Sequence, residues 1–165
     1  PVIYGGFTLV RSLNPLDIVT LPSLEKLHVV ITHPLIELKT KDARLLINKD
    51  IKLEKAIVQW ANLAGFIASL YSKNYELLSK TIKDVIIEPQ RIKLIPNYKE
   101  IVDGASKYAL GSGISGAGPS IFSICNGVKN ASLTLEAIKK ITDKKNINYN
   151  LILSKINTHG IKIIN

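Results

Sequence analysis

The strongest chemical signal in this chain of 165 residues is a glycine-rich stretch. It reads Gly111-Ser-Gly-Ile-Ser-Gly-Ala-Gly-Pro119 and runs into a predicted strand, Ser120-Ile-Phe-Ser-Ile-Cys125. Glycines leave the backbone bare, so its N–H groups can approach a polar or anionic ligand closely. A tight hairpin that binds nothing uses the same residues. The stretch therefore predicts either an anion-binding loop or a simple turn.

Two arginines are the next candidates, because arginine is scarce among the 22 basic residues: only Arg11, Arg44 and Arg91 occur. A guanidinium presents a planar fork that fits a carboxylate or a phosphate. We place Arg44 in the first turn of a short predicted helix, and Arg91 in a turn that Pro89 fixes. Spacing alone leaves a ligand-binding pair and two surface salt bridges both open.

Other catalytic patterns are missing from the sequence. It contains no Ser-His-Asp arrangement, no metal-binding motif and no GxxxxGK[ST] loop. Cys125 lies in an apolar run with no histidine near it in sequence, which favours a buried, inert thiol. A single cysteine also fits a reducing cytoplasm. If the protein is an enzyme, these residues do not hold its complete machinery.

The composition predicts one or two compact domains with a real core, since 46% of the residues are hydrophobic and 21% are charged. No apolar run is long enough to cross a bilayer. The net charge of +9 permits an anionic partner, but the lysines are scattered, which favours a solvated surface. Methionine is absent and a strand pattern starts at once, so we expect a piece of a longer protein.

The first third of the chain predicts a hairpin from strands over 2–10 and 17–21, in which Gly5-Gly6 indicate either a bulge or close packing against another backbone. A buried strand follows over 27–32, and Thr40 can cap a helix over 41–47. The clearest helix covers 53–71, where apolar residues recur every three or four positions. Trp60 lies on this stripe and is predicted to be core.

The rest of the chain predicts further helices and strands without strict alternation. We expect helices over 75–85, 97–109 and 130–143, a turn at Glu88-Pro89-Gln90-Arg91, and final strands over 151–156 and 160–164. This order indicates an α+β fold in which an antiparallel sheet packs against helices.

Six segments in order along the chain resemble the C-terminal half of homoserine kinases, a branch of the GHMP small-molecule kinases. They are Tyr4-Gly-Gly-Phe7, Thr40-Lys-Asp-Ala-Arg44, Leu63-Ala-Gly-Phe66, Asp84-Val-Ile-Ile-Glu-Pro-Gln-Arg91, Leu94-Ile-Pro-Asn-Tyr98 and Gly113-Ile-Ser-Gly-Ala-Gly-Pro-Ser120. The glycine loop is common to GHMP kinases, whereas the Lys-Asp-Ala-Arg and Glu-Pro-x-Arg segments are more particular to homoserine kinases. The resemblance implies the ferredoxin-like GHMP C-terminal domain over 25–165, and a hairpin over 1–24 that belongs to the N-terminal domain.

The resemblance also implies a function, the ATP-dependent phosphorylation of the L-homoserine hydroxyl in threonine biosynthesis. It implies that Arg44 and Arg91 hold the substrate carboxylate, which reverses the salt-bridge reading. Ala117 stands where many relatives have serine, a small residue in both cases. The implied substrate-binding residues are Thr40, Arg44, Arg91, Ser115 and Gly116, and the implied glycine-loop residues are Gly113, Ser115, Gly116, Ala117 and Gly118.

The parts of the family's machinery that handle the phosphate lie outside these residues. The phosphate loop and the Mg²⁺-binding carboxylate belong to the N-terminal half, so we expect no catalytic residue and no metal site here. ATP and Mg²⁺ would serve the full enzyme, and neither is expected on this piece alone, which we expect to be inactive. Without its N-terminal partner the hairpin should expose apolar edges, so we expect self-association or a rearranged hairpin, with neither nucleic acid nor membrane as partner.

Three alternatives remain at this point. Another GHMP kinase, such as mevalonate kinase, has no need to bind an amino-acid carboxylate and leaves Arg44 and Arg91 unexplained. A basic α+β nucleic-acid-binding module fits the charge but lacks the aromatic residues that stack on bases, since aromatics make up only 6%. A regulatory amino-acid-binding domain without catalysis would bind homoserine or threonine.

Overall fold

The computed structural model describes residues 2–162, except for the side chains of Thr40 and Asp42. The strands are β1 (Phe7–Leu13), β2 (Leu16–Leu21), β3 (Leu27–Pro34), β4 (Gly111–Ile114), β5 (Ile121–Asn126) and β6 (Tyr149–Lys155). The helices are α1 (Thr40–Leu45), α2 (Leu53–Ser72), α3 (Tyr75–Thr81), α4 (Glu88–Arg91), α5 (Tyr98–Ala105) and α6 (Val128–Thr142).

The main sheet has four antiparallel strands in the order β4-β5-β3-β6. The central strand β3 is the β-branched run of the sequence, and its Val30 pairs with Ser123 on one side and Leu153 on the other. Helix α6 packs on this sheet and α5 packs on α6. The core between them is formed by Val30, Ile95, Tyr98, Ile101, Ala105, Ile121, Cys125, Ala131 and Ile138. The predicted α+β architecture is therefore confirmed.

A second core joins the β1–β2 hairpin to α2 and α3. It consists of Leu21, Leu24, Leu27, Leu70, Leu78 and Ile124. The rings of Phe7 and Phe66 meet edge to face with centroids 5.5 Å apart. The hairpin predicted from the sequence thus forms and packs onto the rest of the chain, although β1 begins at Phe7 rather than at residue 2.

The residues before β1 lie against the C-terminal segment of the chain. Gly5 and Gly6 have φ of +71° and +57°. A Cβ on Gly5 would lie 2.3 Å from the Gly160 nitrogen, so only glycine fits there. The Gly6 N–H donates to the Asn157 carbonyl at 2.7 Å, and the Ile161 N–H donates to the Ile3 carbonyl at 3.1 Å. The predicted close packing of Gly5-Gly6 on another backbone is confirmed.

Several predicted boundaries are wrong for local reasons. Thr40 is the first helical residue of α1 and Lys39 holds the cap position, so Arg44 lies in the last turn. The predicted turn at Glu88 is the one-turn helix α4, because a proline is tolerated in the first turn of a helix. Of the predicted last strand, residues 160–162 are irregular and 163–164 lie outside the described residues.

The prediction for Trp60 is also wrong, since this residue is 61% exposed. Helix α2 forms over the predicted range, but only Ser69 and Leu70 are buried in it. The spacing of the apolar residues correctly predicted that α2 is a helix. It did not correctly predict that the apolar face of this helix lies in the core.

Candidate functional site

A cavity of about 290 Å³ opens between α2, the segment over 81–91 and the hairpin of β4 and β5. Its lining combines basic, acidic and apolar groups. These residues are Gln59, Asn62, Leu63, Phe66, Thr81, Ile82, Lys83, Asp84, Ile87, Glu88, Arg91, Ser112, Gly113, Ile114, Gly116 and Phe122. Segments that are distant in sequence, among them the Glu-Pro-Gln-Arg stretch and the glycine loop, thus meet at one cleft.

The polar side of α2 fixes the segment that carries the charged residues. The Gln59 Oε1 accepts a hydrogen bond from the Val85 N–H at 2.9 Å, and the Asn62 Nδ2 donates to the Lys83 carbonyl at 3.2 Å. The Asp84 Oδ1 accepts from the backbone N–H groups of residues 86 and 87, both at 2.8 Å. The segment just before α4 is therefore fixed both by hydrogen bonds to α2 and by the hydrogen bonds that Asp84 accepts within the segment.

Arg91 connects α4 to the glycine loop. Its Nη1 donates to the Gly116 carbonyl at 3.0 Å. Gly116 sits at the turn with φ of +63°, and a Cβ there would meet no atom within 4 Å. The Nε of Arg91 is buried and has no hydrogen-bond partner among the described residues. Arg91 also lines the cleft, and a guanidinium in such a place suits an anionic ligand.

Glu88 lies one helical turn before Arg91 and is half-buried. Burial raises the pKa of this carboxyl above its ordinary value, and the nearby Tyr98 hydroxyl and Ile114 N–H offset part of that rise. Burial and the Glu88 carboxylate in turn raise the pKa of the Tyr98 hydroxyl, which faces Glu88 without reaching full hydrogen-bond geometry. A half-buried carboxyl in the lining of the cleft thus lies beside a buried hydroxyl.

Gly113 leaves the room that Glu88 occupies. A Cβ at this position would lie 2.9 Å from the Glu88 Oε2 and 2.9 Å from the Phe122 Cζ. A side chain at this position would have to displace the ends of Glu88 and Phe122, so the glycine leaves room for both at the inner side of the cleft. Sequence reasoning did not single out Glu88, although the Glu-Pro-Gln-Arg segment contained it.

The other predicted site residues are distributed around this cleft. Arg91, Gly113 and Gly116 line it, whereas Arg44 and Ser115 are exposed and are not part of its lining. Ala117 and Gly118 follow Gly116 in the turn, and Gly118 has φ of +87°. The side chain of Thr40 lies outside the part of the structure that is described.

A hydrogen bond ties the region of Arg44 to α4. The Asn48 N–H donates to the Gln90 Oε1 at 2.7 Å, and the Gln90 Nε2 donates to the Ile86 carbonyl at 2.6 Å. Asn48 follows Arg44 by four residues, and Gln90 directly precedes Arg91. The segment after α1 is thereby anchored beside the cleft. The role of Arg44 in substrate binding stays a prediction.

The described residues contain no group of three or more His, Cys, Asp or Glu side chains that could hold a metal ion. Within residues 2–162, no helix combines the length and the apolar character that crossing a membrane requires. Cys125 is buried as predicted, and burial raises the pKa of its thiol, which keeps it protonated and unreactive.

Comparison with known proteins identifies the domain. The family model of the GHMP kinases C terminal matches residues 66–144. A crystal structure of homoserine kinase from Cytophaga hutchinsonii superimposes with a TM-score of 0.95 at 41% identity, over 99% of this chain and 52% of that one. Residues 66–144 of this chain therefore match the C-terminal domain of the GHMP kinases.

Two further relatives show how much of a longer protein this chain matches and which solved structures share its fold. The homoserine kinase of Chlorobium phaeovibrioides is 37% identical over 99% of this chain and 52% of its own length. The chain therefore spans about half the length of the relatives it matches. L. major mevalonate kinase, solved with R-mevalonate, has a TM-score of 0.68 at 15% identity, which shows a shared fold only.

The raised pKa of Glu88 predicts a specific dependence of stability on pH. Above the pKa of the unfolded chain, the folded state must ionise a half-buried carboxyl, so its contribution to stability falls as pH rises from about 4.5 through the folded pKa. We expect Glu88→Gln to raise the melting temperature relative to wild type more at pH 7 than at pH 4, as measured by circular dichroism.

Glu76 is the matched control for this measurement. It is fully exposed, and its hydrogen bond to Lys80 lowers the pKa of Glu76, so Glu76→Gln should show no gain in relative stability as pH rises. A Glu88→Gln variant whose difference from wild type is independent of pH would contradict the effect of burial.

Proposed function

We propose that this chain supplies the C-terminal part of a homoserine kinase, which phosphorylates the side-chain hydroxyl of L-homoserine in threonine biosynthesis in the cytoplasm. The observation that carries the proposal is Arg91, whose Nη1 joins α4 to the Gly116 turn and whose side chain lines the cleft. The identity of 37–41% to homoserine kinases over nearly the whole chain supports the substrate class.

In this proposal, Arg91 binds the carboxylate of the amino acid. A bidentate guanidinium–carboxylate pair fixes orientation as well as charge, which is what a kinase needs to present one hydroxyl of a small molecule. Arg44 is proposed as the second guanidinium, and the segment that follows it is tied to α4 by the hydrogen bond from Asn48 to Gln90. Glu88 positions α4 against the inner strand of the glycine hairpin.

The glycine turn forms one wall of the proposed pocket. Its backbone is open at Gly116 and tightly packed at Gly113, so the turn can approach a ligand on one side while the strand stays fixed on the other. The cleft of about 290 Å³ is near the lower end of small-molecule sites, which suits a substrate as small as an amino acid.

The phosphoryl group and Mg²⁺ would come with ATP, held by the N-terminal half found in the longer relatives. The described residues do not offer a set of ligands for Mg²⁺, so no step through the ion is assigned to them. Their proposed part in the reaction is to bind and orient the acceptor. Phosphoryl transfer depends chiefly on such positioning and on neutralising charge.

A hybrid enzyme tests this proposal. Residues 1–165 are produced alone and fused behind the N-terminal half of the C. phaeovibrioides homoserine kinase, and ADP formation is followed with L-homoserine or mevalonate as acceptor. We expect homoserine-dependent turnover from the hybrid and none from the 165 residues alone. Turnover by the isolated chain, or a hybrid that prefers mevalonate, would refute the proposal.

A further inference from the structure

The base of the glycine loop extends the pairing of β4 with β5 by one residue on each strand. In that pairing, Ile114 lies opposite Ile121. Ser115 and Ser120 are the next pair in the same register, and the Ser115 N–H donates to the Ser120 carbonyl at 2.8 Å. The turn itself is therefore confined to residues 116–119, and Ser120 is the residue on which it closes.

A side chain of the central strand reaches the same serine from the other side. Thr32 of β3 lies opposite Ile121 of β5, and the backbone pairing of the two strands ends there. His33 and Ser120 are the next pair in this register. A side-chain hydrogen bond takes the place of the backbone pairing, since the His33 Nδ1 and the Ser120 Oγ lie 2.8 Å apart and are partly buried. Either group can donate, because imidazole nitrogens and hydroxyls serve both roles.

The end of β3 that carries His33 is also fixed on its second side. His33 pairs with Asn150 of β6. Just beyond the strand, the Leu35 N–H donates to the Asn148 carbonyl at 2.8 Å. A side chain on a strand that is paired in this way holds its position more precisely than a side chain on a loop. His33 is therefore a fixed point to which the base of the glycine loop is attached.

Among the described residues, two side chains from outside the β4–β5 hairpin hydrogen-bond to the segment 115–120. Arg91 donates to the Gly116 carbonyl at the tip at 3.0 Å, and His33 bonds to Ser120 at the base. A Cβ built on Gly116 would meet no atom within 4 Å, so packing does not hold the tip at this residue. The position of the tip carbonyl therefore depends on how firmly the base is held.

We infer that His33 is a positioning residue for the acceptor site, because its bond to Ser120 fixes the base of the loop whose tip orients Arg91. This inference rests on the proposed function, in which Arg91 binds the substrate carboxylate. His33 is not part of the lining of the cleft, so it acts through the loop and not on the substrate. A single side-chain hydrogen bond changes an equilibrium by a factor of roughly 2–12, which sets the size of the expected effects.

Amide hydrogen exchange of the 165-residue chain tests the bond, and it does not depend on kinase activity. The reporter is the Ser115 N–H, which donates to the Ser120 carbonyl. We expect this amide, followed by mass spectrometry of a peptide covering 112–120, to exchange about tenfold faster in His33→Leu and in Ser120→Ala than in wild type. The double variant should exchange no faster than either single one, since both changes remove the same bond. His33→Asn should restore slow exchange, because its amide group can take the place of the Nδ1.

Kinetics of the hybrid kinase test the effect on the acceptor site. His33→Leu should raise the KM for L-homoserine about five- to tenfold and leave the KM for ATP within about twofold. A general loss of folded protein would instead lower the turnover and change neither KM. His28→Leu is the matched control, since His28 lies on the same strand and its Nδ1 faces the Lys26 carbonyl at 3.1 Å. It should change neither the exchange of the loop nor the KM for homoserine.

Three results would overturn the inference. They are unchanged exchange in His33→Leu, a double variant whose effect is the sum of the two single ones, and faster exchange with an unchanged KM for homoserine in an active hybrid. A wild-type hybrid without homoserine-dependent turnover would refute the proposed function and, with it, the role at the acceptor site. The exchange measurement would still decide whether His33 holds the loop.

Discussion

Replacing Arg91 by alanine is expected to lower kcat/KM for L-homoserine by about 100- to 1,000-fold in the hybrid kinase described above. Each hydrogen bond to a charged group is worth about 1.5–3 kcal/mol, and this variant removes both bonds of the bidentate pair that we assign to the substrate carboxylate. It also breaks the bond from the Arg91 Nη1 to the Gly116 carbonyl, so the turn loses its connection to α4. Steady-state kinetics with homoserine as the varied substrate measure the effect.

Two control variants, Arg91→Lys and Arg11→Ala, test whether the effect depends on the planar guanidinium of Arg91 or only on a positive charge. Lysine keeps the charge but cannot reproduce the planar pair of donors, so Arg91→Lys should recover only a small part of the activity. Arg11 pairs with Asp17 on the exposed hairpin, far in sequence from the cleft-lining residues, and its replacement should leave kcat/KM unchanged. An Arg91→Ala enzyme with normal kinetics would remove the basis for the proposed carboxylate site.

Truncating Ile121 is expected to destabilise the fold by about 3–4 kcal/mol, within the range for large-to-small changes in a core. Ile121 begins β5 directly after the glycine loop and is 0% exposed. It pairs with Ile114 on one side and Thr32 on the other, so its side chain supports the base of the loop from inside the core. Urea denaturation of Ile121→Ala, compared with wild type, gives the difference in the free energy of unfolding.

Ile152→Ala is the matched control in the same sheet. Ile152 is 55% exposed on β6, so the same chemical change should cost within about 1 kcal/mol. Equal losses in the two variants would show that burial at the base of the loop does not decide the stability of this sheet.

Much of the fold could be predicted because its signals are local. The β-branched run over 27–32 indicates a buried strand, the apolar period over 53–71 indicates a helix, and Gly5-Gly6 indicate a bulge or a close backbone neighbour. Each of these signals is carried by residues adjacent in sequence. The structure contains all three.

The features that were missed depend on residues that are distant in sequence. The apolar period of α2 shows that the helix has an apolar face, but not that the neighbouring elements bury only Ser69 and Leu70 of the helix. The position of Glu88 depends on Gly113 and Tyr98, which both follow it in the sequence at no recognisable spacing. The one-turn helix α4 was missed because Pro89 both disfavours the preceding helical residue and suits a first turn.

The site was predictable only through family resemblance. Composition and spacing left Arg91 undecided between a salt bridge and a ligand-binding role, and the resemblance connected it to the glycine loop. The structure places Arg91 at the Gly116 turn. Arg44 lies on the exposed side of α1, so its part in substrate binding remains a prediction for mutagenesis.

The contact of Gly5 with Gly160 brings the entry and the exit of the described chain to one point. Two backbone hydrogen bonds, from Gly6 to Asn157 and from Ile161 to Ile3, hold them there. A short linker could therefore join the two ends, and new ends could be opened in the exposed loop between α6 and β6. Such a circular permutant would keep the sheet order and both cores, because the covalent link between α6 and β6 contributes no contact to either core.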